Sequence, residues 1–265
     1  MMATAQLNTT LNHTWHLTGR RLHAVLRQPA FVGISLIQPV IWLFLFGQLF
    51  RRVTDIPGFG GSGSYLDYLI PGIVAMNAMS ASMWAGMGAM EEIERGTLNR
   101  FLVSPASRVA LMNANVVELA VTTTVQTVII LLLGWLGGAH YPGGIAGPAV
   151  VIVASILLGT VFGTLSNACG MLVRQREAII GINTFLLLPL TFLSSAFMAP
   201  GLMPGWMRKI AACNPLNWAV QAGRSALNAD PDWSAIALRC GGLLALAVVC
   251  VAVSVATFRS YQKSV

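Results

Sequence analysis

The sequence predicts an all-α membrane protein with six transmembrane helices, and three observations lead to this fold class. Charged residues make up 9% of the 265 positions, against about 25% in an ordinary soluble domain. Hydrophobic residues make up 55%, which is more than a soluble chain of this size can bury. The charges also leave five long uncharged runs, at 28–50, 68–90, 119–173, 178–207 and 240–258. This composition excludes a soluble enzyme, a disordered chain and a nucleic-acid-binding domain.

The uncharged runs give the transmembrane helices. A helix that crosses about 30 Å of hydrocarbon needs about 20 apolar residues, so four of the runs hold one helix each. The run 119–173 holds two helices, divided at the glycine-rich segment 137–144. The predicted transmembrane domain is 30–265, with spans at about 30–50, 68–90, 109–136, 148–173, 178–199 and 235–258.

Two further helical elements are predicted outside the spans. Residues 1–29 form an amphipathic helix at the headgroup level, because Trp15, Leu22 and Val25 share one helical face. Between 200 and 234, prolines interrupt a helical pattern of apolar residues. We therefore expect a short helical hairpin or a re-entrant helix pair at the membrane edge before the last span.

Lys and Arg residues near the span ends predict the orientation. With six spans both termini lie on one side, and that side carries ten of these residues against five on the other. The termini are therefore cytoplasmic, and the hairpin at 200–234 is extracytoplasmic. The basic residues are scattered over the membrane borders, which predicts no nucleic-acid partner. The ten residues on the side of the termini are Arg20, Arg21, Arg27, Arg95, Arg100, Arg108, Arg174, Arg176, Arg259 and Lys263. The five on the opposite side are Arg51, Arg52, Arg208, Lys209 and Arg224.

The densest group of charges lies in the predicted cytoplasmic loop 91–108, between the second and third spans. A short helix is predicted after Thr97, whose hydroxyl can accept from a free backbone N–H at the helix start. Leu98, Phe101 and Leu102 then share one apolar face. Such a face predicts docking into a groove of another protein, and the alternative is an interfacial helix on the chain's own membrane.

This loop carries a resemblance to a known family. Its residues 94–108, Glu-Arg-Gly-Thr-Leu-Asn-Arg-Phe-Leu-Val-Ser-Pro-Ala-Ser-Arg, resemble the pattern of ABC type-2 exporter permeases, in the branch that includes daunorubicin exporters. In that family the loop is the coupling helix, which sits in a cleft of the ATPase subunit. Asn99 departs from the pattern, which often has an acidic residue there. The ATPase-coupling residues that the resemblance implies are Glu94, Gly96, Thr97, Leu98, Arg100, Phe101, Leu102, Pro105, Ser107 and Arg108.

Two other segments resemble the same family. Residues 214–224, Asn-Pro-Leu-Asn-Trp-Ala-Val-Gln-Ala-Gly-Arg, are similar to the element before the family's last span, and helix 1–29 is similar to its connecting helix. The resemblance implies an exporter in the plasma (inner) membrane, with two permease chains, here a homodimer, and two ATPase chains that hold ATP and Mg. The hairpin residues that match are Asn214, Pro215, Trp218 and Arg224.

The sequence contains no catalytic or metal-ligand pattern and no GxxxxGK[ST] phosphate loop. We therefore expect a permease subunit with no enzymatic activity, metal or cofactor of its own, and ATP hydrolysis on a partner chain. Cys213 and Cys240 both lie near the predicted outer face, which leaves a disulfide between them open.

Polar and methionine residues inside the spans are the candidate pathway residues. A carboxylate such as Glu118 is costly there unless it faces protein, water or a cation, so it lines the pathway or pairs with Arg174 or Arg176. The methionines on one face of the second span predict an adaptable binding wall or ordinary packing. The amides predict substrate contact or interhelical hydrogen bonds. The candidates are Glu118, Gln126, Asn77, Met76, Met83, Asn167 and Asn183.

Three function classes remain open from the sequence. The first is the permease subunit of an ATP-driven exporter of a drug, lipid or glycan. The second is an ion-coupled secondary carrier or channel without an ATPase partner, which needs ionisable residues near the midplane, and Glu118 alone approaches this. The third is a membrane scaffold that transports nothing.

Overall fold

The computed structural model of the chain describes residues 29–55, 64–94, 108–173 and 175–263, and these residues form helices and no strand. An all-α fold is therefore confirmed for the described residues. The predicted amphipathic helix 1–29 lies outside them, apart from Pro29. The helices are α1 (Pro29–Ile41), continued by a π-helical turn (Trp42–Phe46) and α2 (Gly47–Leu49), then α3 (Tyr65–Met83), α4 (Ala85–Glu94), α5 (Arg108–Leu136), α6 (Ala146–Val173), α7 (Arg176–Phe192), α8 (Gly205–Cys213), α9 (Pro215–Leu227) and α10 (Trp233–Lys263).

Three helical segments within the described residues are long and apolar enough to cross a membrane. They are Val116–Leu136, Ala146–Val173 and Trp233–Thr257, and they lie in the third, fourth and sixth predicted spans. Helical residues also occupy the other three predicted ranges, but those helices are shorter or less apolar. The helices indicate an integral membrane protein, and the number of six spans stays a prediction.

Helix α6 is the centre of the fold, where it packs against α3, α4, α5, α9 and α10. In the apolar membrane-crossing part of α6, 61% is buried inside the protein, against 28% in α5 and 22% in α10. Small residues allow the close approach of its neighbours. A Cβ atom at Gly159 would lie 2.8 Å from Oγ of Ser82, and one at Gly170 would lie 2.7 Å from the carbonyl oxygen of Gly86. The outer faces of α5 and α10 are left to lipid or to another chain.

The structure divides the predicted run 119–173 at its glycine-rich segment. Gly138 and Gly144 have φ angles of 94° and 65°, which glycine adopts without the steric cost of a Cβ atom. Several hydrogen bonds hold the loop to its neighbours, among them one from the N–H of Gly143 to the carbonyl oxygen of Leu227 at 3.1 Å. Tyr141 Oη donates to the carbonyl oxygen of Leu131 at 2.8 Å, and the N–H of His140 donates to Oδ1 of Asp67 at 2.8 Å.

The second predicted span, 68–90, is one uncharged run in the sequence but two helices in the structure. Helix α3 begins with a capping box formed by Ser64 and Asp67, in which the N–H of Ser64 donates to Oδ2 of Asp67 at 3.1 Å. Oγ of Ser64 also accepts from the N–H of Leu66 at 3.3 Å. Helices α3 and α4 are separated at Trp84, which is 47% exposed. No proline or glycine marks this position, so the sequence pattern predicts an unbroken helix.

Helix α7 ends at Phe192, seven residues before the predicted end of the fifth span at 199. Residues 193–199 are irregular, because a side chain of the following hairpin takes up backbone groups at the helix end. The side-chain Nδ2 atom of Asn214 donates to the carbonyl oxygens of Leu190 and Leu193, at 2.7 and 2.9 Å. The hairpin predicted at 200–234 consists of α8, which follows a 3-10 turn, and α9.

Candidate functional site

The predicted coupling loop is bounded by two described helices. Glu94 is the last residue of α4, and Arg108 is the first residue of α5. The residues between them lie outside the described part of the chain, so the docking of this loop stays a prediction. The predicted coupling residues outside the described ranges are Gly96, Thr97, Leu98, Arg100, Phe101, Leu102, Pro105 and Ser107.

The break in the second span brings two predicted pathway residues together. The carbonyl oxygen of Met83 accepts a hydrogen bond from Nδ2 of Asn183 at 2.7 Å and another from Oγ of Ser166. Oγ of Ser166 in turn accepts from the N–H of Gly86 at 3.1 Å. An interrupted helix frees backbone groups that need partners inside a membrane. Here α6 and α7 supply those partners, which links the break to two neighbouring helices.

Two other predicted pathway residues bond to each other. Nδ2 of Asn77 in α3 donates to Oε1 of Gln126 in α5 at 3.0 Å. Gln126 is buried, with 3% of its surface exposed. This is one of the two uses that the sequence left open, a hydrogen bond between helices. Any contact of these amides with substrate stays a prediction.

The remaining pathway candidates, Met76, Asn167 and Glu118, lie on α3, α6 and α5. Met76 packs against the buried cluster that contains Met79 and Leu158, so it contributes to ordinary helix packing. Asn167 is buried in α6, and its Oδ1 atom has no hydrogen-bond partner within the described residues. Glu118 is partly buried in α5.

The hairpin motif, residues 214–224, connects neighbouring helices, and its first residue is Asn214. Its Oδ1 atom accepts from the N–H of Leu216 at 2.9 Å and so caps α9. Pro215 occupies the first helical turn, where the absence of an N–H costs nothing. The amide nitrogen of the same Asn214 side chain binds the end of α7, as described above. One side chain therefore ends one helix and starts another.

Asn217 and Trp218 continue this arrangement on α9. Oδ1 of Asn217 accepts from the N–H and the hydroxyl of Ser195, at 2.9 and 2.6 Å. Its Nδ2 atom donates to the carbonyl oxygen of Ala211 in α8 at 2.8 Å. Nε1 of Trp218 donates to the carbonyl oxygen of Ala212 at 2.6 Å. The motif thus fixes the irregular segment 193–199 and the end of α8 against α9.

Arg224 is the last residue of the motif and joins it to α3. Its Nη2 atom donates to the carbonyl oxygens of Ser195 and Tyr68, at 2.9 and 3.1 Å. The guanidinium carbon lies 3.5 Å from the centroid of the Tyr68 ring, a cation–π contact. Tyr68 Oη also donates to the carbonyl oxygen of Ser195, at 3.0 Å. Nη1 of Arg224 lies 3.5 Å from Oγ of Ser195, but the shorter contacts that hold the side chain are the two backbone oxygens and the aromatic face.

Two residues that the sequence did not single out, Ser195 and Asn217, complete the cluster formed with Asn214, Pro215, Trp218 and Arg224. Asn217 lies within the matched segment and was an available signal. Ser195 gave none, because its partners lie 22 and 29 residues further along the chain. Cys213 and Cys240 are both free thiols, so the disulfide that the sequence left open is not formed.

Comparison with known proteins identifies the family. The sequence profile of the ABC-2 type transporters matches residues 12–228, which is most of the chain. The chain belongs to the ABC-2 type transporter family. This confirms the resemblance on which the sequence prediction rested.

Several ABC-2 relatives are permeases of resistance transporters. The daunorubicin resistance ABC transporter permease protein DrrB1 of Streptomyces coeruleorubidus is 26% identical over 222 residues, which are 84% of this chain and 76% of the relative. The putative transport permease ycf38 of Cyanophora paradoxa is 28% identical over 202 residues, 74% of this chain and 67% of the relative. The probable doxorubicin resistance ABC transporter permease protein DrrC of Mycobacterium tuberculosis is 22% identical over 234 residues, 87% of this chain and 81% of the relative.

Proposed function

We propose that this chain is the membrane subunit of an ATP-driven exporter, moved by a separate ATPase chain. Membership of the ABC-2 family carries the proposal. The likeness to a daunorubicin resistance permease over 84% of the chain supports export of an amphiphilic drug, lipid or glycan. ATP and Mg are proposed to bind to the partner chain, and the lack of a GxxxxGK[ST] pattern in this sequence supports that part of the proposal.

We further propose a homodimer with two ATPase chains, in the plasma membrane and with cytoplasmic termini. The exposed apolar faces of α5 and α10 offer surfaces for a second permease chain, of which Leu132 and Val248 are examples, 52% and 61% exposed. Six spans from each chain would enclose one pathway. The bias of Lys and Arg residues towards one side supports this orientation.

The proposed mechanism transmits force through the second span. Closure of the ATPase pair pushes the loop between Glu94 and Arg108, and α4 and α5 move with it. The junction of α3 and α4 is tied to its neighbours on both sides. At the end of α3, Ser166 and Asn183 donate to the carbonyl oxygen of Met83, and in α4 the N–H of Gly86 donates to Oγ of Ser166. A shift of α4 is therefore passed to α6 and α7. The hairpin α8–α9 then acts as the outer lid of the pathway.

Co-purification tests the docking step. The tagged chain is extracted from its native membranes in a mild detergent, and the co-eluting ATPase is quantified. Leu98→Asp and Phe101→Asp place a charge on the predicted docking face and are expected to reduce the recovered ATPase at least about tenfold, because an unpaired charge buried in an interface costs several kcal/mol. Ile145→Asp is the matched control, since Ile145 is 92% exposed in the α5–α6 loop.

Two outcomes would reject the proposal. Unchanged ATPase recovery with both loop variants means that residues 98–101 do not dock. Transport that persists in vesicles without any ATPase, and that stops when the proton gradient is dissipated, assigns the chain to the ion-coupled carriers instead.

A further inference from the structure

A cleft at the hairpin end of the molecule has no role in the mechanism above. It lies between α8, α9 and the first turns of α10 and has a volume of about 610 Å³. Pockets that bind small molecules have volumes of about 300–1,000 Å³. The cleft is therefore large enough for the headgroup of an amphiphile and part of its apolar chain.

Two arginines line the cleft, Arg208 from α8 and Arg239 from α10, and no Asp or Glu is among the lining residues that the structure describes. Nη2 of Arg208 donates to the carbonyl oxygen of Met203 at 3.2 Å. A guanidinium has five N–H donors, so this side chain keeps donors for a ligand. Gln221 adds an amide to the same lining. Planar, bidentate donors of this kind suit phosphate, sulfate or carboxylate groups.

Asp232 lies just before α10 and interacts electrostatically with Arg239, but its carboxylate already has hydrogen-bond partners. Its Oδ1 atom accepts from Oγ of Ser234 at 2.7 Å and from the N–H of Ala235 at 3.0 Å. These hydrogen bonds, with that from Ser234 first, lower the pKa of the exposed Asp232 carboxyl below its usual range. The carboxylate therefore serves the start of α10, and it does not line the cleft.

Most of the remaining cleft lining is apolar, and its two polar residues, Ser195 and Asn217, bond to each other. Trp218 is held by its hydrogen bond to Ala212, and a Cβ atom at Gly242 would lie 3.4 Å from the indole ring. Leu238 and Met203 complete this wall. An apolar wall beside two cations matches a ligand that has an anionic head and an apolar body.

The surroundings place the cleft at the level of lipid headgroups. Trp206 and Ile210 on α8 are 60% and 46% exposed, and the exposed cations Arg208 and Lys209 lie between them in the sequence. Trp233, at the start of α10, is 52% exposed. Exposed tryptophans and cations beside apolar side chains are typical of segments that lie in the membrane interface. Anionic amphiphiles are present at that level.

We propose that the cleft binds the anionic headgroup of an amphiphile, with the anion between Arg208 and Arg239 and the apolar body against Trp218 and Leu238. The ligand is either an anionic membrane phospholipid or a transported amphiphile with an acidic group. The second source rests on the proposed export function. The binding itself requires no ATPase and no transport, so it is tested separately from that function.

The first test compares two short-chain phospholipids with the purified full chain in a neutral detergent. Dihexanoyl phosphatidylglycerol is expected to bind at least about tenfold more tightly than dihexanoyl phosphatidylcholine, because charge-assisted hydrogen bonds favour the unshielded anion. The two lipids have the same acyl chains, so the ratio of their dissociation constants reports the headgroup. Equal affinities would overturn the proposal.

Charge-removing variants locate the binding. Arg208→Gln and Arg239→Gln are each expected to remove most of the preference for the anionic lipid. Lys209→Gln is the matched control, because it removes one positive charge from the same helix without touching the cleft lining. Arg208 is exposed, so its replacement leaves the fold intact, and unchanged elution in size-exclusion chromatography verifies this. An equal loss of preference in Lys209→Gln would show non-specific surface attraction and overturn the proposal.

A third ligand separates the two sources. Dodecyl phosphate has an anionic head and a single apolar chain but is not a membrane phospholipid. Binding of both ligands, with loss of both in Arg208→Gln, supports a site that accepts transported amphiphiles. Binding of the phospholipid alone supports a structural lipid site. Binding of neither ligand rejects the anion site altogether.

Discussion

At the scale of single residues, Arg224 is the side chain that joins the hairpin motif to α3. It contacts Ser195 in the irregular segment and both the ring and the backbone of Tyr68 in α3. Its Nε atom is buried without a hydrogen-bond partner within the described residues. The side chain therefore fastens the hairpin to the bundle through two carbonyl oxygens and one aromatic face.

Replacement of Arg224 by Met is expected to lower the free energy of unfolding by about 2–4 kcal/mol, because hydrogen bonds from a charged group are lost and carbonyl oxygens lose their donor. The stability of Arg224→Lys should lie between those of the unmodified protein and Arg224→Met, because lysine keeps the positive charge but lacks the planar guanidinium donors. Thermal unfolding in detergent measures this. Lys209→Met is the control for loss of an exposed cation, and equal melting of Arg224→Met and Lys209→Met would contradict the fastening role.

The Asn77–Gln126 contact predicts energetic coupling between the two amides. Each single change to Ala should destabilise the protein, and the double change should cost about 1 kcal/mol less than the sum of the two, as interhelical hydrogen bonds in membranes do. A double-mutant cycle on unfolding measures the coupling. Strictly additive effects would show that the hydrogen bond contributes nothing to stability.

At the scale of elements, the junction of α3 and α4 is the place where the proposed mechanism passes force to the neighbouring helices. Gly86 sits against α6 so closely that an added Cβ atom would collide with the backbone and hydroxyl of Ser166. Gly88, on the same helix, has nothing within 4 Å of its added Cβ. The two glycines therefore form a matched pair, one packed and one free.

Gly86→Ala is expected to destabilise the protein by about 1–3 kcal/mol through overpacking, and also to impair transport. Gly88→Ala should leave both unchanged or raise stability slightly, because alanine favours helices. Melting and efflux assays on both variants test this. Normal transport by Gly86→Ala would separate the junction from the mechanism.

The side on which the hairpin lies is testable through Cys213, a free and exposed thiol on α8. A membrane-impermeant maleimide added to intact cells should label the chain there if the hairpin is extracytoplasmic. Cys213→Ser should abolish that labelling, while the buried Cys250 remains unreactive in both proteins. Labelling of Cys213 only after permeabilisation would reverse the proposed orientation.

At the scale of the whole molecule, the helical character, the loop at 137–144 and the hairpin were accessible from the sequence, because uncharged runs, glycines and prolines mark them locally. The break at Trp84 and the early end of α7 at Phe192 were not. Both depend on side chains far along the chain, Ser166 at the break and Asn214 at the helix end. Periodicity and composition carry no information on such contacts.

The same reasoning applies to the candidate site. The sequence identified amides in the spans as polar residues that need partners, but it could not pair Asn77 with Gln126 or Asn183 with Met83. Which hydrogen bonds form depends on how α3, α5 and α7 pack around α6. The motif 214–224 was recognisable as a pattern, whereas its use as a fastener for 193–199 required the structure.

The central claim is that a separate ATPase chain drives this permease. Its most direct test is reconstitution of the purified chain, with and without that ATPase, in vesicles loaded with a fluorescent amphiphile. If export is driven by ATP, we expect transport that requires both chains and ATP and that continues when the proton gradient is dissipated. Transport by the permease alone, abolished by dissipating that gradient, would contradict the account.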